Sequence, residues 1–186
     1  MMHTWFECKI QYEKTMENGM NKKVTEPYLV DALSFTEAEA RIIEEITPFI
    51  SGEFTVSDIK RANYSELFPS EEEAADRWFK CKLVFITLDE KSGAEKKTST
   101  QVLVQAADLR DAVKKLDEGM KGTMADYQIA SVAETAIMDV YKYKVVKSLK
   151  VLDEGKLNQV GRAGWELCGV VNDEYGYTYY LKKKES

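Results

Sequence analysis

The chain predicts an α+β fold: a tandem strand–strand–helix–strand duplication, with antiparallel sheets and packed helices, followed by a small strand–helix–strand–strand module. Three observations predict it. The hexapeptide Trp5-Phe6-Glu7-Cys8-Lys9-Ile10 returns as Trp78-Phe79-Lys80-Cys81-Lys82-Leu83. Leu29-Val30-Asp31-Ala32 returns as Leu103-Val104-Gln105-Ala106, each followed by a helix-like and then an extended segment. After residue 140 the order of these periodicities changes. Self-similarity of this kind outranks any single motif, because it sets the architecture.

The first unit spans residues 1–70. Its opening strand puts Phe6, Cys8 and Ile10 in one apolar row and Trp5, Glu7 and Lys9 on the other face, since side chains alternate along a strand. Asn18-Gly19 is a reverse-turn pair, so a second strand is expected through residues 24–33. Pro27 has no amide hydrogen and is expected at an edge or bulge. Thr36 and Glu39 fit a capping box, followed by a helix with Ile42, Ile43, Ile46, Phe49 and Ile50 as its apolar stripe. Pro48 is expected to kink or shorten the last turn, and Gly52 to stop it. Residues 54–67 read as a bent third strand, and Phe68-Pro69-Ser70 as a linker.

The second unit, 71–140, repeats the order. Strands are expected over 78–88 and 98–106, with a turn at Lys91-Ser92-Gly93. Asp108 caps a helix carrying Leu109, Ala112, Val113, Leu116 and Met120 on one face. Gly119 and Gly122 end it, and a last strand lies within 127–141. Alone, three strands and one helix bury little, so the two copies are expected to pack on each other. The third unit, 141–186, is a strand to Leu149, a helix over 154–163 with Leu157 and Val160 inward, Gly164 as its C-terminal glycine, then two strands joined around 172–176.

Composition narrows the function classes. At 186 residues, 44% hydrophobic and 31% charged, the chain has the balance of a soluble globular protein. No apolar run approaches the roughly 18–20 residues that span a bilayer, and no export signal is visible, so a cytoplasmic location is expected. Cys8, Cys81 and Cys168 have no CxxC spacing, and the two at the same place in the repeat, Cys8 and Cys81, read as small core hydrophobes and not as a disulfide. The net charge of −6 is uneven: 7 basic and 12 acidic groups in 1–70, 10 and 14 in 71–140, but 9 and 6 in 141–186. An acidic body repels polyanions, so nucleic-acid binding belongs, if anywhere, to the basic third unit.

The hexapeptide pair, together with the segments 24–30 (VTEPYLV) and 54–62 (FTVSDIKRA), resembles an uncharacterised family of gut bacteria and their phages, a domain of unknown function, over about residues 1–140. Separately, Leu157-x-x-Val160-Gly161-x-x-Gly164-Trp165-Glu166-Leu167 is similar to a second small uncharacterised family marked by Gly-Trp-Glu-Leu. Neither resemblance implies a reaction, a cofactor or catalytic residues. The first implies a phage-borne or mobile-element setting.

The residues themselves point away from catalysis. The single histidine, His3, sits beside the terminus, too poorly anchored for a nucleophilic triad. There is no phosphate-cradling loop and no Cys/His metal cluster, and no cofactor or metal is implied. Glu71-Glu72-Glu73 and Asp153-Glu154 read as solvated helix starts and caps. Two leads remain. Trp5 and Trp78 are expected to point out of their sheets, either to pack between repeats or to anchor a protein partner or a second copy. Tyr175, Tyr177 and Tyr179 alternate onto one face beside Lys182, Lys183 and Lys184, a pattern that suits single-stranded nucleic acid as well as an ordinary half-buried strand. A non-catalytic binding or assembly protein is the leading expectation, nucleic-acid binding the alternative, and an enzyme with an unsignalled site the third.

Overall fold

The two copies of the repeated hexapeptide lie in strands of two different sheets. The structure, a computed structural model, describes residues 4–185; the reading of His3 lies outside the described residues. The elements run β1 (Trp5–Thr15), β2 (Asn21–Asp31), α1 (Phe35–Ile46), β3 (Phe54–Ala62), β4 (Glu66–Phe68), β5 (Arg77–Leu88), β6 (Glu95–Ala106), α2 (Leu109–Gly119), β7 (Tyr127–Glu134), β8 (Val140–Ser148), α3 (Glu154–Arg162), β9 (Glu166–Asp173) and β10 (Gly176–Glu185). The fold is α+β, with a six-stranded sheet ordered β3-β1-β2-β8-β10-β9 and a four-stranded sheet ordered β4-β6-β5-β7.

The chain divides into two units, one formed by the residues up to Arg61 with those from Asp139 onward, the other by Ala62–Met138. This differs from the expected boundaries at 70 and 140. Residues 141–186 are no separate module, because β8 pairs in parallel with β2 and carries β10 and β9 into the same sheet. The bent third strand expected over 54–67 is two strands in different sheets, with β4 pairing in parallel with β6. Likewise β7 stops at Glu134, and the chain then passes to β8 in the other sheet.

In the first unit, alternation along β1 puts Phe6, Cys8 and Ile10 into a core with Val30, Ala38, Ile42, Ile46 and Tyr141. In the second, Phe79, Cys81 and Leu83 do the same with Val104, Ala112 and Leu116. The register agrees as well: Trp5 lies opposite Asp31 and Phe6 opposite Val30, while Trp78 lies opposite Gln105 and Phe79 opposite Val104.

Local details depart from expectation where capping competes. The cap of α1 is Ser34, whose hydroxyl accepts from the Glu37 amide at 3.1 Å, while the Glu37 carboxylate accepts from the Leu33 amide at 2.6 Å. This is a variant of the capping box, the acid reaching the amide one residue before the cap, and it stands two residues ahead of the expected Thr36 and Glu39. The helix ends at Ile46, so Pro48 lies beyond it instead of kinking it. Only Ile42 and Ile46 of the expected isoleucine and phenylalanine stripe are fully buried; Ile43 and Phe49 are exposed. Asp108 caps α2 as expected, accepting from the Asp111 amide at 2.9 Å. Pro27 lies opposite Lys9, and β8 pairs with β2 only at Leu29 and Val30, so the missing amide hydrogen falls where β2 has no second neighbour.

Candidate binding face

The site begins with an acid at the wrong end of a helix. A carboxylate in the last turn of α1 is opposed by the helix dipole, and Glu45 is also buried. Three neighbours offset that cost. The Tyr143 hydroxyl donates to Glu45 at 2.9 Å, the Lys182 ammonium sits 3.1 Å from the carboxylate, and the Arg41 guanidinium stacks 4.0 Å over the Tyr143 ring. Burial, reinforced by the Glu45 charge and its hydrogen bond, pushes the Tyr143 hydroxyl well above its usual range. A recess of about 220 Å³ lies beside this cluster, between the end of α1 and β10. The cluster pins α1 across β8 and β10.

The register of these strands arranges the residues in rows across the sheet. Tyr141 lies opposite Lys184, and Tyr143 opposite Lys182 and then Glu166. The next rows are Val145–Tyr180–Gly169 and Lys147–Thr178–Val171. Residues opposite one another share a face, so all four rows lie on the α1 side. The helix reaches the Tyr143–Lys182 pair; Val145, Tyr180 and Val171 remain 43%, 44% and 49% exposed. Every residue of β9 except Gly169 is exposed, and β9 is an edge strand, with a register shift opposite Tyr180/Leu181.

The residues singled out from sequence fall elsewhere. Trp5 and Trp78 are 3% and 1% exposed, so the expectation that they present a contact surface is corrected. Large aromatic area is seldom left in water, and here the packing role won. The tyrosine row is also mostly internal. Tyr179 is buried, its hydroxyl accepting from the Leu152 amide at 2.8 Å, Tyr177 is half-buried, and only Tyr175, in the turn, is freely exposed. Lys182 is paired with Glu45, Lys183 with Glu185 at 3.4 Å and Lys184 with Asp139 at 3.0 Å. The structure therefore does not bring an open aromatic row together with unpaired lysines.

Sequence reasoning passed over Tyr180, Val145, Val171 and Gly169. The signal was present in Tyr177-Thr178-Tyr179-Tyr180, whose alternation defines two rows. Which row is covered depends on the neighbours: Leu152, just before α3, reaches the Tyr179 side, and α1 only partly covers the Tyr180 side.

No helix among the described residues is long and apolar enough to cross a membrane. No curated protein and no solved structure matches the chain. A family model described as domain of unknown function DUF4494 matches residues 4–143, ending just inside β8. That match covers most of the chain, both hexapeptides included, and the chain belongs to this family.

Proposed function

We propose that the protein is a non-catalytic binding or assembly factor of the cytoplasm, and that the uncovered end of β8, β10 and β9 is its contact surface. The observation that carries this reading is the pair of exposed rows, with three apolar side chains each more than two-fifths exposed on a sheet face that a helix covers only in part. Natural sheets charge or cover such surfaces unless something binds there. Three thiols without a disulfide suit a reducing compartment. The shared register of the two units supports reading the body as a tandem duplication. An accessory or regulatory role in a phage or mobile element belongs to the same reading.

Light scattering behind a sizing column, with the protein alone and then with a short single-stranded oligonucleotide at low salt, tests this. A mass at a multiple of 21.3 kDa supports assembly. A shift with the oligonucleotide that disappears as salt rises replaces the proposal with nucleic-acid binding.

A further inference from the structure

The end of α1 leaves acceptors that the protein itself does not use. The amide that would bond to the Glu44 carbonyl belongs to Pro48, which has no hydrogen to give. The amide due to the Glu45 carbonyl belongs to Phe49, and it turns to Ile46 at 2.9 Å instead. Thr47 gives both its amide, at 3.0 Å, and its hydroxyl, at 2.6 Å, to the Ile43 carbonyl. No donor among the described residues meets the Glu44 or Glu45 carbonyl, and no basic residue stands in the last turn to offset the negative end of the helix dipole.

Glu44, Glu45, Pro48 and Phe49 line the recess of about 220 Å³, and Tyr141 lines it from β8. Tyr141 is only 3% exposed, and its hydroxyl has no hydrogen-bond partner among the described residues. That oxygen is not sealed in protein, since Gln105 Nε2 is the one fully buried polar side-chain atom left unpaired among the described residues. It therefore reaches solvent through the recess. Burial, reinforced by the Asp139 and Glu45 charges, pushes the hydroxyl above its usual range, so it stays neutral and keeps lone pairs to offer. The charges on this face do not balance. Lys182 is held by Glu45 at 3.1 Å and Lys184 by Asp139 at 3.0 Å, with the Lys184 ammonium 5.4 Å over the Phe49 ring. The Lys183 side chain turns to the opposite face, where Lys142 and Glu185 lie. Glu44 and Glu166 also line the recess, and neither makes an ion pair among the described residues. Two ammoniums thus face four carboxylates and a helix end.

We propose that this recess binds the ammonium head of a primary alkylamine, whose N–H groups donate to the Tyr141 hydroxyl and to the free oxygens at the end of α1, with Glu44 and Glu166 balancing its charge. A cavity of about 150 Å³ holds a six-carbon ring, so the recess has room for the head and a chain of roughly four or five carbons. An anion would meet the two unpaired carboxylates, and a quaternary ammonium would leave the hydroxyl and carbonyl oxygens unused. No group of three His, Cys, Asp or Glu side chains among the described residues could hold a metal ion. The site is separate from the exposed rows of β8, β10 and β9 and does not depend on a partner there.

The experiment is an NMR titration of the isotope-labelled full chain with butylammonium chloride, with sodium butyrate as the anionic counterpart and N-acetyl-lysine methylamide as a protein-like source of the same head. Butylammonium is expected to give saturable shifts at the amides of Glu45, Phe49, Tyr141 and Lys184, and butyrate none. Tyr141→Phe should lower the affinity about tenfold or more, the loss expected when a charged donor loses its acceptor. Its melting temperature should not change, because the hydroxyl bonds to nothing in the protein. Glu166→Gln should weaken binding about two- to fivefold. Tighter binding of the lysine amide assigns the head to a protein side chain, and tighter binding of butylammonium assigns it to a free amine. The proposal is overturned if butylammonium gives no saturable shifts at these amides, if butyrate moves them equally, or if Tyr141→Phe binds as tightly as the native chain.

Discussion

The helices α1 and α3 belong to the same unit, yet they are held by different means. α1 buries Ala38, Ile42 and Ile46, spaced four residues apart along one stripe, and adds the buried Glu45 pinned by Tyr143 and Lys182. α3 buries no residue at all. Its inward candidates, Leu157 and Val160, are half-buried, and its first and last turns contain Gly155 and Gly161, the poorest helix formers after proline. Good caps are common to both: Asp153 accepts from the Lys156 amide at 2.9 Å, as Ser34 does from Glu37. Capping decides where a helix begins; burial of an apolar stripe decides how firmly it stays. The firm helix leaves part of its face of the sheet open, and that remainder is where the candidate binding rows lie.

The sharpest test of the comparison is truncation in each helix. Ile42→Ala removes a fully buried side chain and should cost about 2–5 kcal/mol in urea unfolding, whereas Leu157→Ala should cost about 1 kcal/mol or less. Equal losses would erase the distinction. Next in size is Glu45→Ala, which strips Tyr143 and Lys182 of their acceptor and should cost about 1–3 kcal/mol; a neutral result would mean that the cluster does not pin α1. Hydrogen exchange offers a readout without mutation, since α3 amides should exchange well before those of α1, opening locally without global unfolding.

The smallest effect concerns the thiols. Burial pushes the Cys8 thiol up from 9.0 to about 12 and the Cys81 thiol up to about 11. Both should resist a thiol reagent at neutral pH, while the exposed Cys168 reacts; three thiols should react once the chain is unfolded. Between pH 9 and these raised values the unfolded chain gives up thiol protons that the folded chain keeps. This contribution to stability is therefore complete below pH 9 and is lost as pH rises through 11 to 12. Rapid reaction of all three thiols in the native protein would show that the cores around Cys8 and Cys81 are not closed.

Properties that repeat over short distances were legible in the sequence. The alternation of Phe6, Cys8 and Ile10, and of Phe79, Cys81 and Leu83, named both cores, because a strand has only two faces and one of them was apolar. The glycine at 164, the cap at Asp108 and the α+β class were readable for similar reasons, each being a local conformational preference. The sequence by itself therefore determined most of the elements and the inner faces of the two hexapeptide strands.

Which sheet receives which strand was settled only in the tertiary structure. Residues 54–67 read as one bent strand, since nothing local records that β4 pairs with β6 while β3 stays beside β1. Nothing local records the parallel pairing of β8 with β2 either, and it is this pairing that brings Lys182 to Glu45. The same holds for exposure. Trp5 and Trp78 were correctly placed on the face opposite Phe6 and Phe79, yet both are buried there while Lys80 and Lys82 on the same face of β5 are exposed. In Tyr177-Thr178-Tyr179-Tyr180 the pattern distinguishes two faces, and only the positions of α1 and α3 decide which one meets water. Periodicity reports that two faces exist, whereas burial depends on residues far away along the chain, and pairings between distant strands leave no mark in any short window of sequence.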